Sequence, residues 1–213
     1  MKVSISKSLT DYSLVRRIVG RIVQNKKLFL RQSKIEKKYL DVGCAGNIHD
    51  NFVNLDYTWT PQIDVCWDIT RPLPFEDHSF EGIFTEHCLE HITLAECKNA
   101  LKEFFRITKN NAIVRIVVPD GELYFDIYNR KKKGENIYMP YEEGYITPMA
   151  RVNGIFRNHG HQFIYDFATL KLLLEMAGFR NIIRRSFKEG SNKDLLIDSK
   201  ERELESLYVE AQK

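Results

Sequence analysis

Residues 86–91 read Glu-His-Cys-Leu-Glu-His. Two imidazoles and two carboxylates this close can bind a metal or move a proton. His87 to His91 also fits H-x-x-E-H, a spacing that holds zinc when both histidines share one helical face. Further candidates precede the run: Asp41, the small residues Gly43, Cys44, Ala45 and Gly46, then Asp56, Asp68 and Glu86. Two more histidines, His159 and His161, stand in "RNHGHQFIYD" (157–166). Which chemistry these groups can do depends on the elements that carry them.

"KYLDVGCAGN" reads as a short apolar strand entering a small-residue turn. "FVNLD" (52–56) and "IDVCWD" (63–68) are two more strands, each ending on an aspartate. Pro72 and Pro74 stiffen the next connection by fixing φ, and "EGIFTEH" (81–87) is a fourth strand. Thr93 and Glu96 form a capping box for a helix whose apolar face holds Leu94, Cys97, Leu101, Phe104 and Phe105. "AIVRIVVPD" (112–120) is nearly continuously apolar, as a buried parallel strand should be. A second helix is capped by Asp166, buries Leu170, Leu173, Leu174 and Ala177, and stops at Gly178. "FRNIIRRSF" and "ELESLYVEAQK" can pair as a terminal antiparallel hairpin. The alternation predicts an α/β fold: an open, doubly wound, mostly parallel seven-stranded sheet with a C-terminal hairpin. Residues 121–165 break the alternation and are rich in aromatics, among them Tyr124, Tyr141, Tyr145 and Tyr165, so they read as an inserted lid.

This layout decides the opening run. His87 falls at the carboxyl end of the fourth strand and the helix starts only at Thr93, so the one-face zinc geometry is not expected. His159 and His161 have no acid cluster beside them in sequence, and no metal is assigned. In open α/β sheets ligands bind outside the carboxyl ends of the strands. There, small residues at 43–46 let backbone approach a ligand, Asp56 can accept from a ribose diol, and Asp68 can accept from an adenine amine. Asp41 either touches the ligand or orients the turn. His91 reads as a packing residue, most lid aromatics as core, and Glu201–Glu205 with Arg202 as a solvated turn. A nicotinamide site is disfavoured because the turn lacks G-x-G-x-x-G.

The chain's 213 residues, 43% of them apolar, suffice for one domain with an embellishment. Residues 1–38 hold 11 Lys and Arg against 2 Asp and Glu; the rest holds 21 against 27. In this basic segment Leu14, Ile18 and Ile22 recur at helical spacing, which suits docking on the body or peripheral membrane contact through residues 11–38. Nucleic acid is not expected as a partner, because interleaved aromatics are missing there. Cysteines 44, 66, 88 and 97 form no C-x-x-C pair, and no apolar run approaches the ~20 residues of a membrane span. Both point to a cytoplasmic setting.

"YLDVGCAG", "NLD", "WDITRPLPFEDHSFEGI" and "EHCLEHI" resemble class I S-adenosylmethionine-dependent methyltransferases, nearest the compact subset of bacterial glycan and natural-product pathways. The resemblance is tight over 39–120 and implies a Rossmann-like methyltransferase domain at 39–213, with 121–165 as the acceptor-site lid. It implies S-adenosylmethionine as cofactor, with Gly43 and its neighbours on the methionine moiety, Asp56 on the ribose, and Asp68 with Ile69 on the adenine. Glu86 and His87 would line the cofactor near its sulfur. Two departures stand out. Ala45 occupies a position usually held by Gly, and only 12 positions separate Gly43 from Leu55, so the first crossover must be a loop or a short helix. The implied reaction is O-methylation of a small-molecule or glycan hydroxyl, with His161, His159 or His87 as base. A non-catalytic binding module, or methylation of RNA or protein, is the alternative.

Overall fold

The computed structural model describes residues 37–213 together with Ile18 and Ile22. The basic segment read at 1–38 therefore lies almost wholly outside the described residues. Ile18 and Ile22 are helical and exposed.

Seven strands form one sheet in the order β3-β2-β1-β4-β5-β7-β6. Strands β1 (Tyr39–Val42), β2 (Phe52–Asp56), β3 (Val65–Cys66), β4 (Phe80–Glu86) and β5 (Thr108–Pro119) pair in parallel. Strand β7 (Ser206–Gln212) lies antiparallel between β5 and β6 (Arg180–Arg185), so the expected hairpin is present. β3 is much shorter than "IDVCWD" suggests: Val65 and Cys66 stand in register opposite Leu55 and Asp56, and the flanking Asp64 and Trp67 N–H groups donate to the Asn54 and Asp56 carbonyls. The first crossover runs as turns with no helix, as its length requires.

The central strands are buried on both faces, and alternate residues feed different cores. Leu40, Val42, Ile83, Val114, Ile116, Leu207 and Val209 pack on one side with helices α1 (Leu94–Ile107) and α4 (Phe167–Ala177). Helix α1 buries Cys97, Ala100, Leu101, Phe104 and Ile107, and its capping box forms as the sequence predicts. Asp166 caps α4 through the Thr169 N–H. Gly178 ends it at φ +109°, where a Cβ would meet the Phe105 ring at 3.0 Å.

On the opposite side Tyr39, Phe52, Phe84, Val117 and Tyr208 pack against Leu195, Phe187 and Ile197 of the β6–β7 connection. This side also holds Arg115, fully buried, which donates to both Asp198 oxygens at 2.7 Å.

Residues 121–165 contain two helices, α2 (Gly121–Lys132) and α3 (Pro148–Arg157). Asp120 caps the first. Thr147 with Pro148 starts the second, proline being free there of any lost hydrogen bond. Tyr124, Ile127, Met139, Val152 and Ile155 give this insertion its own small core. Gly121 N–H donates to the Tyr165 carbonyl and so joins the two ends of the insertion, and Gln162 N–H donates to the Glu90 carbonyl, which fastens it to the run after β4. No helix among the described residues is long and apolar enough to cross a membrane.

Candidate active site

A cavity of about 1170 Å³ opens at the carboxyl edge of the sheet. One wall is the turn after β1. Gly43 sits there at φ +79°, and a Cβ on it would lie 2.7 Å from both Cβ and Sγ of Cys88. The turn is tied to β2 by Gly43 N–H to the Leu55 carbonyl (2.8 Å) and by Ala45 N–H to Asp56 Oδ2 (2.9 Å). The other oxygen of Asp56 accepts from Thr58 N–H at 2.6 Å. A carboxylate has about four acceptor sites, so each oxygen retains capacity for a diol. Burial raises the Asp56 carboxyl although both backbone donors oppose it. Asp68 accepts from Thr70 N–H and Oγ1–H at 3.1 and 2.7 Å, and with Ile69 lines the same wall.

The floor is the run after β4. His87 holds φ +49°, a left-handed backbone that few non-glycine residues adopt. Its Nε2 lies 2.8 Å from Ser206 Oγ, and burial, followed by the charge of Arg202, lowers it to about 3. Glu90 is fully buried, and neither carboxylate oxygen has a hydrogen-bond partner among the described residues. Burial raises its carboxyl to about 8. Three imidazoles face Glu90 Oε1: His87 Nδ1 at 3.4 Å, His91 Nε2 at 3.9 Å and His161 Nε2 at 4.0 Å. Burial lowers His91 to about 4 and pulls His161 down as well.

The remaining wall comes from the lid and from the turn before β7. Tyr141, Tyr145, Arg151, Ile155 and His159 face Arg202 and Glu205 across the cavity. Arg151 is buried. It donates to the Pro140 carbonyl (2.8 Å) and to Tyr124 Oη (2.7 Å), and lies over the Tyr124, Tyr141 and Tyr145 rings at 4.9–5.8 Å. Tyr124 donates to Glu205, which also accepts from Arg202. The solvated turn expected at 201–205 is therefore only part of the truth: Glu205 is buried, because Tyr124 and Arg151 come down on it from the lid. The aromatics divide. Tyr124 and Tyr165 are core, whereas Tyr141 and Tyr145 line the cavity.

Of the residues singled out in the sequence, Gly43, Ala45, Asp56, Asp68, Ile69, His87, His159 and His161 line this one cavity. Four do not. Asp41 is buried in β1 beneath the turn, where burial, with Glu86 and Asp56 adding, holds its carboxyl well above the usual range. Cys44 packs with Ile63 and Cys66. Gly46 is exposed beside the turn. Glu86 turns to Ser199, accepting from its N–H at 3.0 Å and from its hydroxyl. Glu90, Arg151 and Glu205 were not anticipated as lining residues. Only the HCLEH run carried a signal for Glu90, and it was silent about burial.

Residues 44–116 match a family described as a methyltransferase domain. The fold is similar to a SAM-dependent methyltransferase of Archaeoglobus fulgidus, 18% identical, covering 91% of this chain and 94% of that one at a TM-score of 0.50. A SAM-dependent methyltransferase of Thermotoga maritima is 15% identical, with 97% of each chain covered and a TM-score of 0.51. An S-adenosylmethionine-dependent methyltransferase of Mesorhizobium loti is 12% identical, covering 87% and 96% at 0.51. No curated protein matches the chain. Over residues 44–116 the sequence matches a methyltransferase domain, and the fold is that of S-adenosylmethionine-dependent methyltransferases.

S-adenosylmethionine is the cofactor that domain and fold support. The cavity fits it on two counts. Backbone at Gly43 closes on Cys88 with no room for a side chain, and the two acceptor-only carboxylates, Asp56 and Asp68, stand along one wall. Its volume exceeds the roughly 300–1,000 Å³ of a usual single-ligand pocket, which leaves space for an acceptor beside the cofactor.

Proposed function

We propose that this methyltransferase transfers a methyl group to a hydroxyl of a polar small molecule or glycan unit held beneath the lid. The observation that carries the reading is the continuity of the cavity. It runs from Gly43, Asp56 and Asp68 to a second end walled by Tyr141, Tyr145, Arg151, His159 and Arg202. Asp56 would hold the ribose, Asp68 and Ile69 the adenine, and the turn at Gly43 the methionine moiety. When bound, the cofactor supplies an electrophilic methyl on a sulfonium. The chain's part is then to hold the acceptor in line, exclude water and take the hydroxyl proton. His161 is suited to the last task, because its Nδ1 lies 2.6 Å from the Ile155 carbonyl, which directs Nε2 with its lone pair toward the cavity. His159, at the cavity mouth, is the other candidate.

A non-catalytic binding module has one observation in its favour: Ala45 sits at φ +48° in the turn. Calorimetric titration with S-adenosylmethionine and its demethylated product separates the two. The enzyme binds both at micromolar levels and loses about tenfold or more in D56A, since a ribose diol deprived of its acceptor costs about 1–3 kcal/mol. No binding by the unaltered protein would sink the reading, and full affinity in D56A would remove Asp56 from the site.

A further inference from the structure

We propose that Glu90, His91 and His161 form a binding site for a divalent transition-metal ion at the acceptor end of the cavity. The inference deepens the reading above and rests on it only for the placement of the acceptor. Its basis is a set of three ligand atoms, Glu90 Oε1, His91 Nε2 and His161 Nε2, all within 4.8 Å of one another. The carboxylate is the decisive member. A fully buried Glu with both oxygens unpartnered is costly unless something satisfies it, and this one faces a cavity. Two imidazole nitrogens approach the same oxygen at 3.9 and 4.0 Å. A tetrahedral cation about 2.0–2.1 Å from each donor would space them by about 3.3 Å. Closing the set shortens each Glu90–imidazole distance by roughly 0.6–0.7 Å and draws the two nitrogens, now within 4.8 Å of each other, to the same spacing, shifts within reach of side-chain rotation.

The surroundings are those of imidazole ligands. The Nδ1 of His161 is engaged by the Ile155 carbonyl at 2.6 Å, which fixes the tautomer that leaves Nε2 free to ligate. The His91 ring stands edge-on to that of His161, with ring centroids 4.9 Å apart. Hydrogen bonds hold the two halves in register: Gln162 and Phe163 N–H donate to the Glu90 carbonyl, and the Gln162 side-chain Nε2 donates to the His91 carbonyl. His87 adds a third imidazole 3.4 Å from Glu90 Oε1, with its Nε2 2.8 Å from Ser206 Oγ.

Two imidazoles and one carboxylate suit zinc or ferrous iron and leave coordination positions open. Those positions face the cavity, where an acceptor oxygen would meet the ion. With His161 committed as a ligand, taking up the hydroxyl proton falls to His159.

The test uses the full chain stripped with a chelator and titrated with Co2+, followed by visible absorption, and with Zn2+, followed by calorimetry. One equivalent should bind at micromolar or lower concentration. E90Q and H91A should each weaken binding by more than the roughly 10- to 100-fold that losing an outer partner costs, while H49A, outside the cluster, should not. Circular dichroism reports whether each variant folds. His91 is only partly buried, so H91A keeps the test open if E90Q does not fold. Absence of uptake by the unaltered protein, or uptake unchanged in E90Q and H91A, overturns the proposal. Binding of the demethylated cofactor product, measured on the same sample, shows separately whether the methyltransferase reading holds.

Discussion

Gly43 and Ala45 share one turn but stand in opposite relations to it. Gly43 needs φ +79° and has Cys88 2.7 Å from where a Cβ would be, whereas Ala45 already carries a Cβ at φ +48°. A left-handed backbone costs an L-residue roughly 1–2 kcal/mol. G43A should therefore lower stability by about 2 kcal/mol or more once the clash is included, and cofactor affinity should fall with it. A45G should raise stability by up to about 1 kcal/mol. Thermal melts with and without the demethylated cofactor product check both. The strand-end acids Asp56 and Asp68 were legible because each closes a short apolar run, a pattern local in sequence. Glu90 and Glu205 were not, because their burial depends on the lid segments around 124, 151 and 162, which no local pattern ties to them.

At the scale of elements, Arg115 shows how an ion pair fastens a connection to the sheet. It stands inside β5, faces away from α1 and α4, and holds Asp198 with two 2.7 Å bonds while donating to the Ser186 and Glu189 carbonyls. Removing one member of a buried pair typically costs about 3–5 kcal/mol, because the other charge is stranded. R115M should lose about that much in urea unfolding, and R115M/D198L should recover part of it. The nearly continuous apolar run at 112–120 marks β5 as a buried strand but gives Arg115 no partner, since Asp198 lies 83 positions away. Helices α2 and α3 were also missed. The aromatic density of 121–165 concealed the helical spacing, and Asp120, read as the end of a strand, is also the cap of α2.

For the whole molecule, acid stability depends in part on how α1 is fastened to the irregular stretch before β4. Arg106 donates to the carboxylates of Glu103 and Asp77 and to the Leu73 and Phe75 carbonyls. Glu103 in turn accepts from Leu73 N–H at 2.6 Å. The Arg106 guanidinium holds the Glu103 carboxyl below its ordinary value of 4.5. A depressed carboxyl stabilises the fold above its unfolded value, and that contribution disappears as pH falls through the folded one. Urea midpoints should therefore drop between about pH 5 and pH 3, and E103Q should flatten that slope without moving the midpoint's response above pH 6.

The place of β7 in the sheet carries a consequence for synthesis. The strand that β6 pairs with, and that joins it to β5, is β7. On a ribosome, the five parallel strands can assemble while residues 180–185 still wait, their backbone amides open to any passing polypeptide edge. Closure comes only when residues 206–212 emerge and slide between the two. The interval between those events is when a nascent copy of this protein is most exposed to aggregation.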